Sequence, residues 1–422
     1  MSNYAQKPVY ILAARRTPLG SFMGALAGFS AGKLGAIAIQ AALKDAGVKP
    51  EDVGQVYMGC VLPAGQGQAP ARQAAIFAGL PKSTPCTTVN KVCGSGMKAV
   101  MLAAQSIETG EYDVVIAGGT ENMSQVPYYV EGARTGYRMG HQKLVDGMIK
   151  DGLWDVYNDY HMGSAAELCA RELKIPREEQ DAFAVESFKR SQEATKSGKF
   201  KSEIVAVEIP QKRSSGALNG ASSGVPKGAS AGAPKGATSD PVLMDQDEGP
   251  FKVQFDKVSK LLPVFQKDGT VTAANASTIN DGAAALVLAS EDYVKRTGVK
   301  PLARIVAYSQ HAQAPEWFTT APAEATRKVL KKSNWELGSV DLFEVNEAFA
   351  VVAIAAQREL GIPAQKLNVH GGAVSLGHPI GASGARILVT LVSALKQYGK
   401  KRGLASICIG GGEATALTLE LT

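Results

Sequence analysis

One strand–helix pattern is written twice along this chain, and any fold must accommodate both copies. In the first half, Val9–Ala14 reads as a strand and Lys33–Ala46 as an amphipathic helix (Leu34, Ile37, Ala38, Ala41) closed by Gly47. Gln55–Val61 follows as a strand, Ala69–Ala78 as a helix, then a helix after Cys93, and Tyr112–Ala117 as a strand ending in Gly118-Gly119. In the second half, Leu302–Ala307 is a strand, Ala323–Lys332 a helix, Val340–Val345 a strand and Glu347–Leu360 a helix. A helix then opens at Gly381-Ala-Ser-Gly-Ala-Arg386, and the strand Leu404–Ile409 ends in Gly410-Gly411-Gly412. Alternating strands and helices predict βαβ units with mostly parallel sheets covered on both faces, the α/β class. Two copies predict a pseudo-twofold pair of domains whose helix N-termini meet at one site.

The division that follows places an N-terminal domain at 1–125, completed by about 251–290 through the strand Ala283–Ala289, and a C-terminal domain at 291–422. Residues 126–250 read as an insertion that covers the site, with a helical stretch near Glu178–Thr195 and little β alternation. Within it, 214–239 is low-complexity Gly/Ala/Ser/Pro/Lys, which lacks the apolar side chains to bury a core.

The sharpest chemical signal is Val89-Asn-Lys-Val-Cys93-Gly-Ser-Gly-Met-Lys98. After Cys93 the apolar residues Met97, Val100, Met101 and Ala104 take helical spacing, so the thiol stands where a helix begins. Unpaired N–H groups and the positive end of the helix dipole converge there, and the expectation is a thiolate rather than an inert buried thiol. The second half adds Glu344-Val-Asn346-Glu347-Ala-Phe-Ala350 where a strand passes into a helix. It also holds His370-Gly-Gly-Ala-Val-Ser-Leu-Gly-His378-Pro-Ile-Gly381, a glycine-rich approach to a helix start, and Ser406-Ile-Cys408-Ile-Gly410, a second thiol at a strand's end. Gly381-Ala-Ser-Gly could pass for a phosphate cradle, but neither a Walker lysine nor Gly-x-Gly-x-x-Gly after the first strand is present.

Composition narrows the partners. Five cysteines (60, 86, 93, 169, 408) are odd in number and form no Cys-x-x-Cys pair, which argues against a disulfide framework or a zinc site and for a reducing compartment. The formal charge of +6 suits an anionic, phosphorylated substrate without requiring one. Basic residues do not cluster with aromatics, so nucleic acid is not expected as a partner. No stretch approaches the apolar length of a membrane span, and the N-terminal residues lack a signal peptide's hydrophobic region. A cytoplasmic protein without membrane association is the expectation.

Taken together, these strings resemble the thiolase family over nearly the whole chain. Val-Cys93-Gly-Ser-Gly, Asn275-Ala-Ser277-Thr-Ile-Asn280-Asp-Gly, Asn346-Glu-Ala-Phe, Gly377-His378-Pro-Ile-Gly-Ala-Ser-Gly and Cys408-Ile-Gly-Gly-Gly fit its blocks in order, and the short-chain acetyl-CoA acetyltransferases (acetoacetyl-CoA thiolases) look most alike. The resemblance implies a thiolase-like α/β fold, two pseudo-twofold-related α-β-α-β-α domains plus an inserted loop domain. It implies that two acetyl-CoA and acetoacetyl-CoA plus free CoA are interconverted through an acetyl-cysteine. In that chemistry Cys93 carries the acyl group, His378 takes its proton, and Cys408 handles the α-proton. One oxyanion hole would combine His378 with a water held by Asn346, the other the backbone N–H groups of Cys93 and Gly410.

Coenzyme A would lie against the insertion, where His161-Met162 line the acyl and pantetheine pocket. Leu153, Phe265, Ser277, Phe318, Ala348 and Phe349 map to further contacts, and Lys252, Lys257 and Lys260 could meet the 3′-phosphate. His370, where relatives often have Asn, is expected to support rather than catalyse. Coenzyme A thioesters enter as substrates and no tightly bound cofactor is expected. Some short-chain relatives bind potassium through a tyrosine and carbonyls near Ala273, Ala274, Ala276 and Val374; here the tyrosine position holds Phe188, which removes a ligand and argues against potassium activation. By the same resemblance the chain forms a homo-oligomer, a dimer of dimers.

Two other readings stay open. One is a degradative thiolase for longer 3-ketoacyl-CoA substrates, the other a thiolase-fold protein that binds acyl-CoA without catalysis. The narrowing effect of His161-Met162 favours short chains, and the presence of Cys93, Asn346, His378 and Cys408 together favours catalysis. A ketoacyl synthase fits less well, because that group lacks a second thiol such as Cys408.

Overall fold

The structure, a computed structural model, describes residues 7–210 and 242–422. The low-complexity stretch 214–239 lies outside the described residues. Nine strands make one continuous path: β1 (Val9–Arg16), β2 (Gln55–Gly59), β3 (Cys86–Val89), β4 (Val114–Asn122), β5 (Asn280–Ser290), β6 (Ala303–Ala312), β7 (Leu342–Val345), β8 (Arg402–Ile409) and β9 (Glu413–Leu421). Their order across the sheet is β7-β8-β9-β6-β1-β5-β4-β2-β3, with the short strand Gly20–Ser21 added beside the start of β5.

The pairing repeats. In the first half β1–β5 and β5–β4 are antiparallel and β4–β2 is parallel. In the second, β6–β9 and β9–β8 are antiparallel and β8–β7 is parallel. The halves join where β1 meets β6, through Val9–Ile305, Tyr10–Arg304 and Ile11–Ala303. The expectation of mostly parallel sheets is therefore corrected: each half is mixed. The antiparallel partners β5 and β9 are strands that return to the sheet after the βαβ segments. Among them β9 escaped the sequence reading altogether, although its alternating Ala-Thr-Ala-Leu-Thr-Leu is strand-like.

Two further bounds differ from the sequence reading for steric reasons. β4 does not stop at Gly118-Gly119 but runs through them to Asn122. A Cβ at Gly118 would run into the Ala284 carbonyl of β5, and one at Gly119 into the Gly381 carbonyl, so these glycines permit close approach rather than end the strand. The helix expected from Glu347 begins at Ala350, because Phe349 at its entry is extended, at φ −141°, and bridges to Ala276.

Helices α1 (Ala31–Ala46) and α2 (Pro70–Phe77) cover one face of the first half, and α3 (Ser95–Glu108) the other. α1 begins two residues before the expected Lys33, because Ser30 caps it by accepting the Lys33 N–H at 3.3 Å; Gly47 at φ 62° closes the far end as expected. In the insertion, α4 (Met162–Glu172) and α5 (Arg177–Lys196) pack toward α8 (Ala350–Leu360). α6 (Glu291–Thr297) follows β5, α7 (Ala321–Ser333) packs on β6, β8 and β9, and a short α9 (Ala373–Leu376) precedes α10 (Ile380–Gln397).

α10 is buried on every side from Ile380 to Leu395, as an apolar helix without a polar face must be. It lies on the same face as α3 and against it, with Met97, Val100, Met101 and Ala104 sharing one core with Leu388, Leu391, Val392 and Leu395. Small residues at both starts let the two helices touch. A Cβ at Gly96 would stand 2.7 Å from the Ala385 nitrogen, and one at Gly384 would strike the Met97 nitrogen. Gly381-Ala-Ser-Gly384 thus serves helix packing, which accounts for its glycines without a phosphate.

The insertion is tied to β1 by a buried ion network. The Arg16 guanidinium, fully buried, donates to both Asp247 oxygens at 2.7 and 2.9 Å and to Glu203 at 2.6 Å. Its pKa is raised because these two carboxylates outweigh the effect of burial.

Candidate active site

The nucleophile turn is tight and strained. Val92 adopts φ 43°, the left-handed region that a β-branched residue rarely enters. The Asn90 side chain accepts the Val92 N–H at 3.0 Å, and the Ser95 hydroxyl bridges the turn, accepting from Lys91 N–H at 2.8 Å and donating to the Val92 carbonyl at 2.6 Å. Lys91 is further held by an ion pair with Glu413 at the start of β9. Strain of this kind, of order 1–3 kcal/mol, persists only where neighbours over-determine it, and it clusters at functional sites. Its effect here is to throw Cys93 forward at the foot of α3.

Cys93 opens on a cavity of about 280 Å³. All eight positions assigned above to substrate contact lie in its wall: Leu153, His161, Met162, Phe265, Ser277, Phe318, Ala348 and Phe349. His378 and Gly410 line it too, so groups from both halves converge. The sequence reading did not find Val92, Met123, Gly152, Val264, Ala276, Thr278, Ile279 or Ile380, which complete the wall. Most of these sit beside a residue it did find, and adjacency was the available signal. The lining is mainly apolar, as a pocket for an acyl–pantetheine arm requires.

His378 Nδ1 stands 2.6 Å from Ser383 Oγ. The Ser383 hydroxyl has one hydrogen and two acceptors in reach, Nδ1 and the Pro379 carbonyl at 2.9 Å. Given to Pro379, it leaves Oγ to accept from Nδ1–H, the tautomer in which Nε2 carries a lone pair. Nε2 has no partner among the described residues. Burial, reinforced by the nearby Arg386 guanidinium, pushes the His378 pKa down to about 3, so the ring is neutral and able to accept a proton.

Cys93 itself departs from expectation. The helix start was expected to favour the thiolate, but burial pushes the thiol up to about 11. The backbone N–H groups of Gly410 and of Cys93 act in the opposite direction without overcoming it. Desolvation in the narrow apolar pocket outweighs the partial charge of a helix end. The thiol therefore needs a base to deprotonate it, and His378 Nε2 lies unpartnered in the same cavity.

Cys408 and Asn346 are buried and do not line the cavity. Cys408 packs with Met162, Phe318, Ala348 and Phe349, which do line it, and the charge of Cys93 contributes to raising the Cys408 pKa well above a free thiol's, after burial. Asn346 and Cys408 lie at the C-terminal ends of the parallel strands β7 and β8, where the Asn346 N–H donates to the Ser406 carbonyl at 2.9 Å. Neither polar atom of the Asn346 side chain has a partner among the described residues. Such a buried amide calls for a water or a substrate oxygen.

His161 has a structural role as well, and the remaining positions fall outside this cavity. His161 caps α4, its Nδ1 accepting the Gly163 N–H at 3.0 Å, and its ring stacks on Phe265 with centroids 4.7 Å apart. His370 is buried away from the cavity between Phe200 and Tyr398. Lys252 and Lys257 line an adjoining cavity of about 300 Å³ that shares Thr278 with the first, and Lys260 is exposed nearby. The same neighbouring cavity holds Phe188, Ala273, Ala274 and Val374, whereas Ala276 belongs to the Cys93 cavity. The Phe188 ring offers no oxygen to a potassium ion there.

Comparison with known proteins identifies the family. The family model for the thiolase N-terminal domain matches residues 9–292, and that for the thiolase C-terminal domain residues 299–421. Acetyl-CoA acetyltransferase 2 of Arabidopsis thaliana is 53% identical over 98% of this chain and 97% of its own. The mitochondrial acetyl-CoA acetyltransferase of Rattus norvegicus is 52% identical over 99% of this chain and 93% of its own. The crystal structure of Acat5 thiolase from Ascaris suum in complex with coenzyme A superposes with a TM-score of 0.88 at 40% identity, covering 99% of this chain and 100% of that one.

Proposed function

The chain belongs to the thiolase family of acyltransferases, and from that premise we propose that it catalyses the reversible Claisen condensation of two acetyl-CoA to acetoacetyl-CoA and CoA. The observation that carries this reading is the shared cavity of the Cys93 thiol and the unpartnered His378 Nε2. In the first step His378 Nε2 takes the thiol proton, the Cys93 sulfur attacks the thioester carbonyl, and the proton leaves with the sulfur of CoA. The oxyanion of that step faces the N–H groups of Cys93 and Gly410, the two that already act on the Cys93 sulfur. A lost oxyanion donor raises the barrier by roughly 3–4 kcal/mol.

In the second step Cys408 passes its thiol proton to His378 Nε2, which is free again after the first step, and as thiolate takes the α-proton of a second acetyl-CoA. The resulting enolate carbon attacks the acetyl carbonyl, the C–S bond to Cys93 breaks, and the imidazolium returns its proton to the Cys93 sulfur. The enolate oxygen is assigned to His378 and a water on the Asn346 amide, whose unpartnered atoms support the role. Met162, Phe318 and Phe349 all line a cavity of only about 280 Å³, which supports a two-carbon acyl group over a long one. Phe188 provides no potassium ligand, and no step is routed through the ion. The division into 1–125, 126–250 and 291–422, a dimer-of-dimers assembly and a cytoplasmic site of action belong to the same proposal. Fractionation and light scattering test the last two.

The test is intact-mass spectrometry after incubation with acetyl-CoA, with peptide mapping. An acetyl group on Cys93, absent in Cys93→Ser, is expected, together with thiolysis of acetoacetyl-CoA that outpaces that of a long-chain homologue. CoA binding with no adduct would identify a binder instead, and faster long-chain cleavage a degradative thiolase.

A further inference from the structure

A buried carboxylate that this chemistry does not use stands against the start of α10. Glu121, next to last in β4, is fully buried. One of its oxygens accepts the backbone N–H of Val61 at 2.9 Å and of Gly381 at 2.8 Å, while the other accepts that of Leu62 at 3.1 Å and lies 3.5 Å from the Cys60 thiol. Among the described residues its partners are N–H and S–H groups, not cations.

The three N–H groups come from two separate pieces of chain. Val61 and Leu62 follow β2, and Gly381 is the second residue of α10, where a first-turn N–H has no partner inside the helix. The Gly381 carbonyl presses in turn on the opposite helix: a Cβ at Gly96 of α3 would stand 3.1 Å from it, and one at Gly59 only 2.5 Å. Nor is there slack on the carboxylate side, since a Cβ at Gly381 would lie 2.5 Å from the same Glu121 oxygen. His378 sits three residues before this pinned glycine, and Cys93 two before the first residue of α3. Val61, Leu62, Met123 and Ile380, next to the groups that bind the carboxylate, belong to one apolar cluster, with Cys93 packed against it.

We propose that Glu121 is a positioning residue whose carboxyl group fixes the first turn of α10 against α3 and so sets the reach of His378 Nε2 to the Cys93 sulfur. It rests on the assignment of Cys93 and His378 given above. Burial holds the Glu121 pKa up at about 7 against the pull of its three N–H groups, and the charge of Glu121 is one of the influences that push the Cys93 thiol up. The titratable neighbours on the elements packed around it are Cys60 and Cys93. Removing the charge therefore has a second signature, easier ionisation of Cys93, that a purely structural role would not produce.

The experiment compares the wild type with Glu121→Gln in two assays: single-turnover acetylation by acetyl-CoA, and the pH dependence of Cys93 alkylation by iodoacetamide. In Glu121→Gln the acetylation rate at saturating acetyl-CoA is expected to fall about ten- to a hundredfold, a part of what a positioned base supplies. The half-saturating concentration should stay within about threefold of wild type, as expected for loss of a group that acts after binding. The alkylation midpoint should move to lower pH. An acetylation rate within about twofold of wild type would overturn the proposal. So would an unmoved alkylation midpoint combined with a rate loss equal to the unfolded fraction. If Glu121→Gln does not fold, Glu121→Asp decides: it keeps the charge and withdraws the reach, so acetylation should fall while the alkylation midpoint holds, and a wild-type rate overturns the proposal. A wild-type chain that alkylates normally but never acetylates rejects the condensation chemistry instead, and the alkylation midpoint alone then decides Glu121.

Discussion

His378 and Ser383 stand 2.6 Å apart between Nδ1 and Oγ, and the direction of that hydrogen bond decides which ring nitrogen can act as a base. A base at Nε2 requires that Ser383 give its hydrogen to Pro379 and that Nδ1 carry the ring proton. Ser383→Ala frees the tautomer and leaves Nδ1 without its acceptor. The acetylation rate of Cys93 is then expected to fall by about tenfold or more, a share of the roughly 10²–10⁴ that positioned acid–base groups provide. His378→Ala should lose the whole of that factor. Stopped-flow release of CoA measures both, and equal rates in Ser383→Ala and wild type would reject the tautomer argument.

The two thiols divide the reaction between them. Cys408→Ala should load acetyl groups onto Cys93 at nearly the wild-type rate and yet make or break the carbon–carbon bond at least about a hundredfold more slowly, as loss of an acid–base group does. Acetyl loading followed by mass and acetoacetyl-CoA thiolysis followed by absorbance give the two numbers. Equal losses in both would contradict the assignment of Cys408.

Acid should weaken this fold through a histidine that does no chemistry. Burial, with Lys199 and Arg16 nearby, holds the His370 pKa down at about 4, and neither of its ring nitrogens has a partner among the described residues. Its folded pKa is thus below its unfolded value of about 6.5, so the unfolded state binds the proton more readily. The stability this gives is complete above about pH 6.5 and is lost as the pH falls toward 4, on the order of 2–3 kcal/mol in all. Urea denaturation between pH 7 and 4 should show His370→Asn losing that much less than wild type, and parallel losses would reject the linkage.

Helix contact at the site leaves no room for a methyl group. Gly384→Ala places a Cβ on the Met97 backbone, where nothing flexible can yield. The variant should be destabilised by about 1–3 kcal/mol, as overpacked cores are, and should also lose acetylation because α3 and α10 are forced apart. Thermal denaturation and the loading assay check the pair of effects. A stable variant with slow loading would place the damage at the site alone.

What could be read in the sequence was what local chemistry dictates. The spacing of Met97, Val100, Met101 and Ala104 located α3, Gly47 closed α1, and His378 before a glycine-rich helix start pointed to the pocket. What stayed hidden depends on distant neighbours. Gly118 and Gly119 look like a strand's end until Ala284 and Gly381 are seen against them. The antiparallel role of β5 is invisible because its partner β4 lies far back in the chain. The protonation of Cys93 was misjudged for the same reason, since burial is a property of the assembled cavity and a helix start is a property of eight residues of sequence.

The seam at β1 and β6 rests on three residue pairs, yet the reacting groups are shared out across it: the nucleophile comes with one lobe, the imidazole and the second thiol with the other. Cut between β5 and β6, each fragment would inherit an intact pattern of strands and no chemistry. Only the reunited pieces would turn over substrate.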